Sequence, residues 1–302
     1  MKKNYTLKHL FFFCFFLIFT GGLYAQYVSN VQIEYSCPCS VKVTYDLAKD
    51  GDVKLSYSPT PLDIDASGWQ DAKTWTGQTE GINQVLIWDC AAAGVSHGVF
   101  YYKLERVSTP CEKIGGVIIN GVCWATRNVD APGNFAANPE DPGMLYQWDT
   151  KVGWNNTDNP ITYTTSSPAG STWNTTGSSN SSWNPDNDPS PDGYRVPTVT
   201  EIFSLLNTTN VASAWTTKNG KTGYRFTDIS VGPNNGNEIF LPAAGVRVGT
   251  TGTLYDVGTN GFYRCSTPYN ASYAYYLYFF SSDAGLDYDT KIGGLSVRPV
   301  AK

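Results

Sequence analysis

Apolar and polar residues alternate with period two through most of the amino-terminal third of the chain. Val31, Ile33 and Tyr35, then Val41, Val43, Tyr45 and Leu47, then Val53, Leu55 and Tyr57, and later Phe100, Tyr102 and Leu104 occupy alternate positions, and turn formers such as Asp50-Gly51 bound the runs. Successive side chains of a strand point to opposite faces, so each run predicts a half-buried β-strand. Residues 84–88 (Gln-Val-Leu-Ile-Trp) predict a further, more continuously apolar strand. No helical window interrupts this region.

The pattern changes near Ser108-Thr109-Pro110, where a proline beside small polar residues predicts a hinge. Beyond it, Gly116-Val-Ile-Ile-Asn120-Gly121-Val-Cys-Trp-Ala predicts a hairpin, because Asn-Gly readily supplies the two positive φ angles of a type I′ turn. Residues 154–192, rich in Asn, Ser, Thr and Pro, predict a long surface excursion. In Thr198-Val-Thr-Glu201-Ile-Phe-Ser-Leu-Leu206 the Thr198 hydroxyl can cap a helix while Glu201 reaches back, and Ile202, Leu205 and Leu206 form one apolar stripe. After residue 222 short aromatic strands return, among them residues 273–280 and 294–298. The expected fold is β-rich with two domains. An all-β antiparallel sandwich of the immunoglobulin or fibronectin type III kind spans residues 26–108, and an α+β domain with few helices spans 113–302.

The opening block has a different character. Lys2, Lys3 and Lys8 flank the start of an apolar run from Leu10 to Phe19, and small, turn-prone residues follow up to Ala25. That order predicts a secretory signal peptide, residues 1–25, cleaved after Ala25. The run is shorter than the roughly 20 residues that span a bilayer, so no membrane span is expected after cleavage. Cys14 sits inside the apolar run without the small residues of a lipoprotein cleavage box before it, and is read as filler. The expected destination is the periplasm, the outer surface or the medium.

Residues 1–25 hold three of the 21 basic residues and none of the 26 acidic ones, so their removal takes the net charge from −5 to −8. Such a surface repels phosphate backbones, and nucleic acid is not an expected partner. With 29 Gly, 20 Tyr and 9 Trp but only 16% charged residues, the composition suits an extracytoplasmic β-protein.

Five ordered blocks carry a family resemblance: Asn120-Gly-Val-Cys-Trp-Ala-Thr-Arg-Asn-Val129, Gly143-Met-Leu-Tyr-Gln-Trp148, Pro191-Asp-Gly-Tyr-Arg-Val-Pro-Thr-Val-Thr-Glu201, Pro242-Ala-Ala-Gly245 and Gly294-Leu-Ser-Val-Arg298. Residues 113–302 thereby resemble the Fibrobacter succinogenes major paralogous domain. The resemblance implies a relative of the formylglycine-generating enzyme fold, a variant of the C-type lectin fold, and the block from Arg195 to Glu201 carries this second likeness. Sandwiches similar to the amino-terminal one often precede this domain in secreted proteins. Family members commonly carry cysteines just before the Pro-x-Gly block and just after the closing Ser-Val-Arg, which look like disulfide partners. Here those positions are Ser190 and Pro299. The closing strand is therefore expected to be held by pairing and packing.

Few residues suggest catalysis. The distant enzyme relative holds copper with two close thiolates, and only Cys265 lies in the matching region. His97 is the one histidine after residue 25, which excludes a histidine zinc site and disfavours a Ser-His-Asp triad. Glu112, Glu140, Glu201 and Glu238 are the candidate carboxylates, but Glu201 serves the helix cap and no motif pairs the others. No enzymatic activity is expected.

Cys37, Cys39, Cys90, Cys111, Cys123 and Cys265 are candidates for disulfides in an oxidising compartment. The expected links are Cys90 with Cys39 or Cys37, Cys123 with Cys265, and a clamp at the hinge through Cys111. Asp186, Asp188 and Asp192 lie at close spacing in one loop, a set of hard oxygen donors that calcium accepts, although such residues are also ordinary turn formers. No other cofactor is expected. Trp154, Trp173 and Trp183 fall in the polar excursion, where indoles either stack on sugars or plug the loop onto the core. The expected role is non-catalytic binding of a polysaccharide or a surface protein through the second domain; alternatives are a structural part of a surface or fimbrial assembly, an oxidase of the formylglycine-generating type, or a carboxylate hydrolase.

Overall fold

The computed structural model describes residues 19–20, 27–36, 40–60, 62, 66–95, 100–232 and 234–302. Most of the expected signal peptide, Cys37, Cys39 and His97 lie outside these residues. The chain divides into two compact units, Met1–Thr109 and Pro110–Lys302. Strands dominate both, and the sheets are open and essentially antiparallel. No helix among the described residues is long and apolar enough to cross a membrane.

In the first unit β1 (Phe19–Thr20), β2 (Val28–Ser36), β3 (Ser40–Leu47) and β6 (Gly81–Asp89) form a sheet in the order β1-β2-β3-β6. A second sheet contains β4 (Gly51–Ser58), β5 (Gln70–Gln78) and β7 (Tyr101–Arg106) in the order β5-β4-β7. The described part of the expected signal segment is β1, which pairs through Phe19 with Ile33 and through Thr20 with Gln32. Val41, Val43, Tyr45 and Leu47 from the first sheet and Val53, Leu55 and Leu104 from the second are buried in one apolar cluster, as their alternation predicts. The continuously apolar run behaves differently. On β6, Leu86 and Trp88 are buried, but Ile82, Val85 and Ile87 are 75%, 50% and 58% exposed. An edge strand with one face on the core imposes alternation even where the sequence lacks it.

The second unit opens with α1 (Pro110–Lys113), a single helical turn at the expected hinge, and the hairpin β8 (Gly116–Ile119) to β9 (Val122–Ala125). Asn120 and Gly121 adopt φ of 46° and 79°, as the turn requires. The cysteine pairing differs from expectation. Cys111 bonds Cys123 across 12 residues, and Cys265 is free and buried. Alternation along β9 buries Trp124 and turns Cys123 to the other face, toward α1. Gly116 makes room for this bridge, since a Cβ there would lie 2.7 Å from the Cys123 sulfur and 2.9 Å from that of Cys111. Burial pushes the Cys265 thiol up to about 11, so at neutral pH it is an inert apolar filler. Cys90 is disulfide-bonded, and its expected partners lie outside the described residues.

The helix forms as predicted: α2 (Val199–Leu205) begins at Thr198 with a complete capping box, and Glu201 also takes a two-pronged bond from Arg195 at 2.8 and 2.5 Å. The closing strand β22 (Val300–Ala301) lies between β12 (Tyr194–Arg195) and β9, held by pairing without a disulfide. The main core packs α2 against β13 (Val211–Lys218), β14 (Lys221–Asp228), β15 (Glu238–Pro242), β18 (Gly261–Pro268) and β19 (Tyr273–Phe280), burying Ile202, Leu205, Phe226, Leu241, Leu277 and Phe279. The largest sheet adds β10 (Leu145–Tyr146), β11 (Gly153–Trp154), β20 (Asp283–Thr290) and β21 (Leu295–Ser296), in the order β11-β10-β21-β18-β19-β20, while β16 (Val246–Arg247) and β17 (Leu254–Tyr255) form a separate pair. This leaves β20 as an open edge.

Candidate functional site

The three tryptophans of the polar excursion are not an exposed stacking surface. Trp154 is 1% exposed and Trp173 9% exposed. Their rings meet edge to face at 5.2 Å, and the Trp173 indole donates to the Gly249 carbonyl at 2.7 Å. Trp183, partly buried, packs edge to face on buried Trp148 at 5.4 Å. These indoles plug the excursion onto the sheet, and rings as enclosed as those of Trp154 and Trp173 offer a sugar no face.

Polar groups fasten the same excursion. The buried Asp149 carboxylate accepts from the Ser178 hydroxyl, the Asn180 and Asn187 amides and the Asn184 backbone N–H, at 2.8, 2.5, 3.2 and 2.7 Å. Lys291 lies over the Trp148 ring at 4.1 Å and donates to the Asn180 carbonyl at 2.8 Å. Farther along, the buried Arg247 guanidinium donates to the Asn155 and Asp158 carbonyls and the Asn155 side chain. Carbonyl oxygens and the Trp148 ring thus satisfy the cations that hold this loop down.

The aspartates proposed for calcium do not converge. Both oxygens of Asp188 accept backbone N–H groups, from Ser190 in its own loop and from Val196 just past β12, each at 2.9 Å. Asp186 sits exposed in a short 3-10 turn, Pro185–Asn187, and Asp192 is also exposed. Among the described residues no group of three or more His, Cys, Asp and Glu is placed to hold a metal. Asp188 thus acts as a turn former. Three of the candidate glutamates have separate partners: Glu140 accepts from Asn219 at 2.7 Å, Glu201 caps α2, and Glu238 faces Arg225 at 3.8 Å.

What the sheet does display is aromatic. Six of the eight residues of β19 are Tyr or Phe, at both strand parities, so one core face cannot take them all. Leu277 and Phe279 turn into the core, and Tyr276, Tyr278 and Phe280 share the opposite face. Tyr276 and Tyr278 are half-buried and Phe280 is 36% exposed. Phe262 of β18 pairs with Tyr278 and extends this face, its ring 5.9 Å from that of Tyr276.

Gly285 of β20 sets the posture of these rings. It lies directly opposite Tyr278, and a Cβ there would come within 2.6 Å of the Tyr278 hydroxyl. Without that atom the phenol lies across β20 and donates to Asp283 at 3.1 Å. Its plane is within 15° of that of Phe280, with the ring centres 6.2 Å apart. The result is an aromatic strip, near-parallel at Tyr278 and Phe280, with carboxylates beside it: Asp287 opposite Tyr276 and Asp283 opposite Phe280, both exposed. Burial, reinforced by Asp287 and Asp289, pushes the Tyr276 phenol up to about 12, so it stays a neutral donor.

At the far end of the hairpin, on the other face, Tyr269 stacks on Tyr288 at 3.9 Å, and Tyr273 and Tyr275 meet Tyr288 edge-on. Tyr269, Tyr273 and Tyr288 are 47%, 37% and 45% exposed. The hairpin is therefore aromatic on both faces.

No family model, curated protein or solved structure matches this chain. The hairpin geometry has to carry the functional reading. Its sequence signature was the double-parity aromatic run of residues 273–280, which reading the segment only as a strand overlooks.

Proposed function

We propose that the carboxy-terminal unit is a non-catalytic polysaccharide-binding module of an exported protein, and that it grips its ligand on the strip formed by Tyr276, Tyr278, Phe280 and Phe262. The single observation that supports this reading most is the Tyr278 ring laid flat over Gly285 beside Phe280 and Asp283. Pyranose rings stack their C–H faces on such aromatic planes while their hydroxyls donate to neighbouring carboxylates. A strand rises about 3.3 Å per residue, so the three rings on β19 span about 13 Å, room for a run of sugars rather than one. Export rests on the signal-like order of residues 1–25. The likeness to the Fibrobacter succinogenes major paralogous domain and its lectin-like relatives, and of residues 26–108 to immunoglobulin-like spacers, agrees with a displayed binding module.

The test is retention of the chain on insoluble polysaccharides. Tyr276→Ala and Tyr278→Ala each weaken retention by about tenfold, the equivalent of about 1.4 kcal/mol. Unchanged retention in both variants overturns the reading.

A second reading, contact with a protein in a surface assembly, has its own observation. Ile82, Val85 and Ile87 present an apolar face on the edge strand β6. Polar replacement of Val85 and Ile87 would release the protein from such an assembly and leave polysaccharide retention unchanged.

A further inference from the structure

We infer that the β19–β20 face selects uncharged polysaccharides and excludes polyuronates and sulfated glycans. The inference rests on the polysaccharide-binding reading above and adds the class of ligand.

Residues 265–290 contain no Lys or Arg, and the aspartates of this hairpin, Asp283, Asp287 and Asp289, are all exposed on β20. Alternation places all three on the face that bears Tyr276, Tyr278 and Phe280, since Asp283 pairs with Phe280, Asp287 with Tyr276 and Asp289 with Ala274. They sit two to four residues apart, so a chain lying on the strip stays within roughly one Debye length, about 8 Å at physiological ionic strength, of at least one of them. A polymer carrying a carboxylate or sulfate on each repeat meets like charge along the whole contact. A neutral polymer meets only acceptors for its hydroxyls.

The two cations that flank this stretch in sequence do not offset this. Arg264, opposite Tyr276 on β18, is completely buried, and its Nη2 donates to the Gly293 carbonyl. Lys291 is 1% exposed and engaged by Trp148 and the Asn180 carbonyl. Neither presents an ammonium or guanidinium to an anionic ligand at the surface.

Each carboxylate also keeps acceptor capacity. One oxygen of Asp283 takes the Tyr278 hydroxyl, and one oxygen each of Asp287 and Asp289 takes the N–H of Tyr288 and Thr290. The second oxygen of each remains for ligand hydroxyls. An Asn side chain keeps the accepting oxygen and loses the charge, which makes the charge separable from the fold.

The experiment compares the full chain with a triple variant, Asp283→Asn, Asp287→Asn and Asp289→Asn, on gels of neutral xylan, mannan and β-glucan and on gels of polygalacturonate and alginate, at low and physiological salt. The expected result is retention of the unaltered chain on at least one neutral gel and on neither acidic gel. In the variant the ratio of acidic-gel to neutral-gel retention rises by about tenfold or more, because like-charge juxtaposition is removed. Equal retention of the unaltered chain on neutral and acidic gels at low salt overturns the selectivity and leaves polysaccharide binding standing. Retention on none of the gels overturns both.

Discussion

The excursion of residues 154–192 and the β19–β20 hairpin both carry large aromatic rings, and the unit treats them in opposite ways. The excursion is polar in sequence, yet Trp154 and Trp173 end up nearly inaccessible. The hairpin is a regular strand pair, yet it holds Tyr276, Tyr278, Phe280 and Tyr288 at the surface. The difference lies in what each ring finds beneath it. The excursion folds back over the sheet and is laced down by Asp149, Lys291 and Arg247, so its indoles have a surface to bury against. On the hairpin Leu277 and Phe279 are buried in the core; Tyr276, Tyr278 and Phe280 point to the other face, and Tyr288 lies outside the core cluster on the first. Polar surroundings in sequence therefore do not mark a ring as displayed; position in the sheet does.

The largest effect that separates the two regions is on stability. Trp173→Ala removes a buried indole and the bond to Gly249, and costs about 3–5 kcal/mol in thermal or denaturant unfolding. Tyr278→Ala, on the displayed face, shifts stability by no more than about 1 kcal/mol. Comparable losses in the two variants would erase the contrast. A smaller effect tests the lacing. Asp149→Ala leaves the donors of Ser178, Asn180, Asn184 and Asn187 without their shared acceptor and costs about 1–3 kcal/mol. Limited proteolysis should then cut within residues 176–187 first, where the unaltered chain resists; an unchanged digest would show that the tryptophans alone hold the excursion.

Much of the scaffold was legible in the chain. Period-two runs placed β3 and β4, the Asn120-Gly121 pair placed the β8–β9 turn, and Thr198 with Glu201 placed the start of α2, because each of these is a local preference. The closing strand also pairs as expected at a position where Pro299 replaces a cysteine. What was not legible depended on partners distant in sequence. The bridge of Cys111 to Cys123 depends on Gly116 leaving space and on β9 turning Cys123 away from the core, so Cys265 was left a buried thiol. The exposure of Ile82, Val85 and Ile87 follows from β6 being an edge. The aspartates at 186, 188 and 192 read as ligands by spacing, but backbone N–H groups engage Asp188 and the other two are exposed. The displayed strip required knowing that Gly285 lies across from Tyr278, a cross-strand register that spacing alone does not reveal.

The most direct measurement is hydroxyl-radical footprinting of the full chain with and without a saturating neutral polysaccharide. Oxidation of Tyr276, Tyr278 and Phe280 should fall when the polymer is added, while Trp154 and Trp173 stay unreactive in both states. Protection of other surfaces with the hairpin still fully oxidised, or free reactivity of Trp173 in the unliganded protein, would contradict the assignment of the hairpin as the displayed face and of the excursion as the buried one.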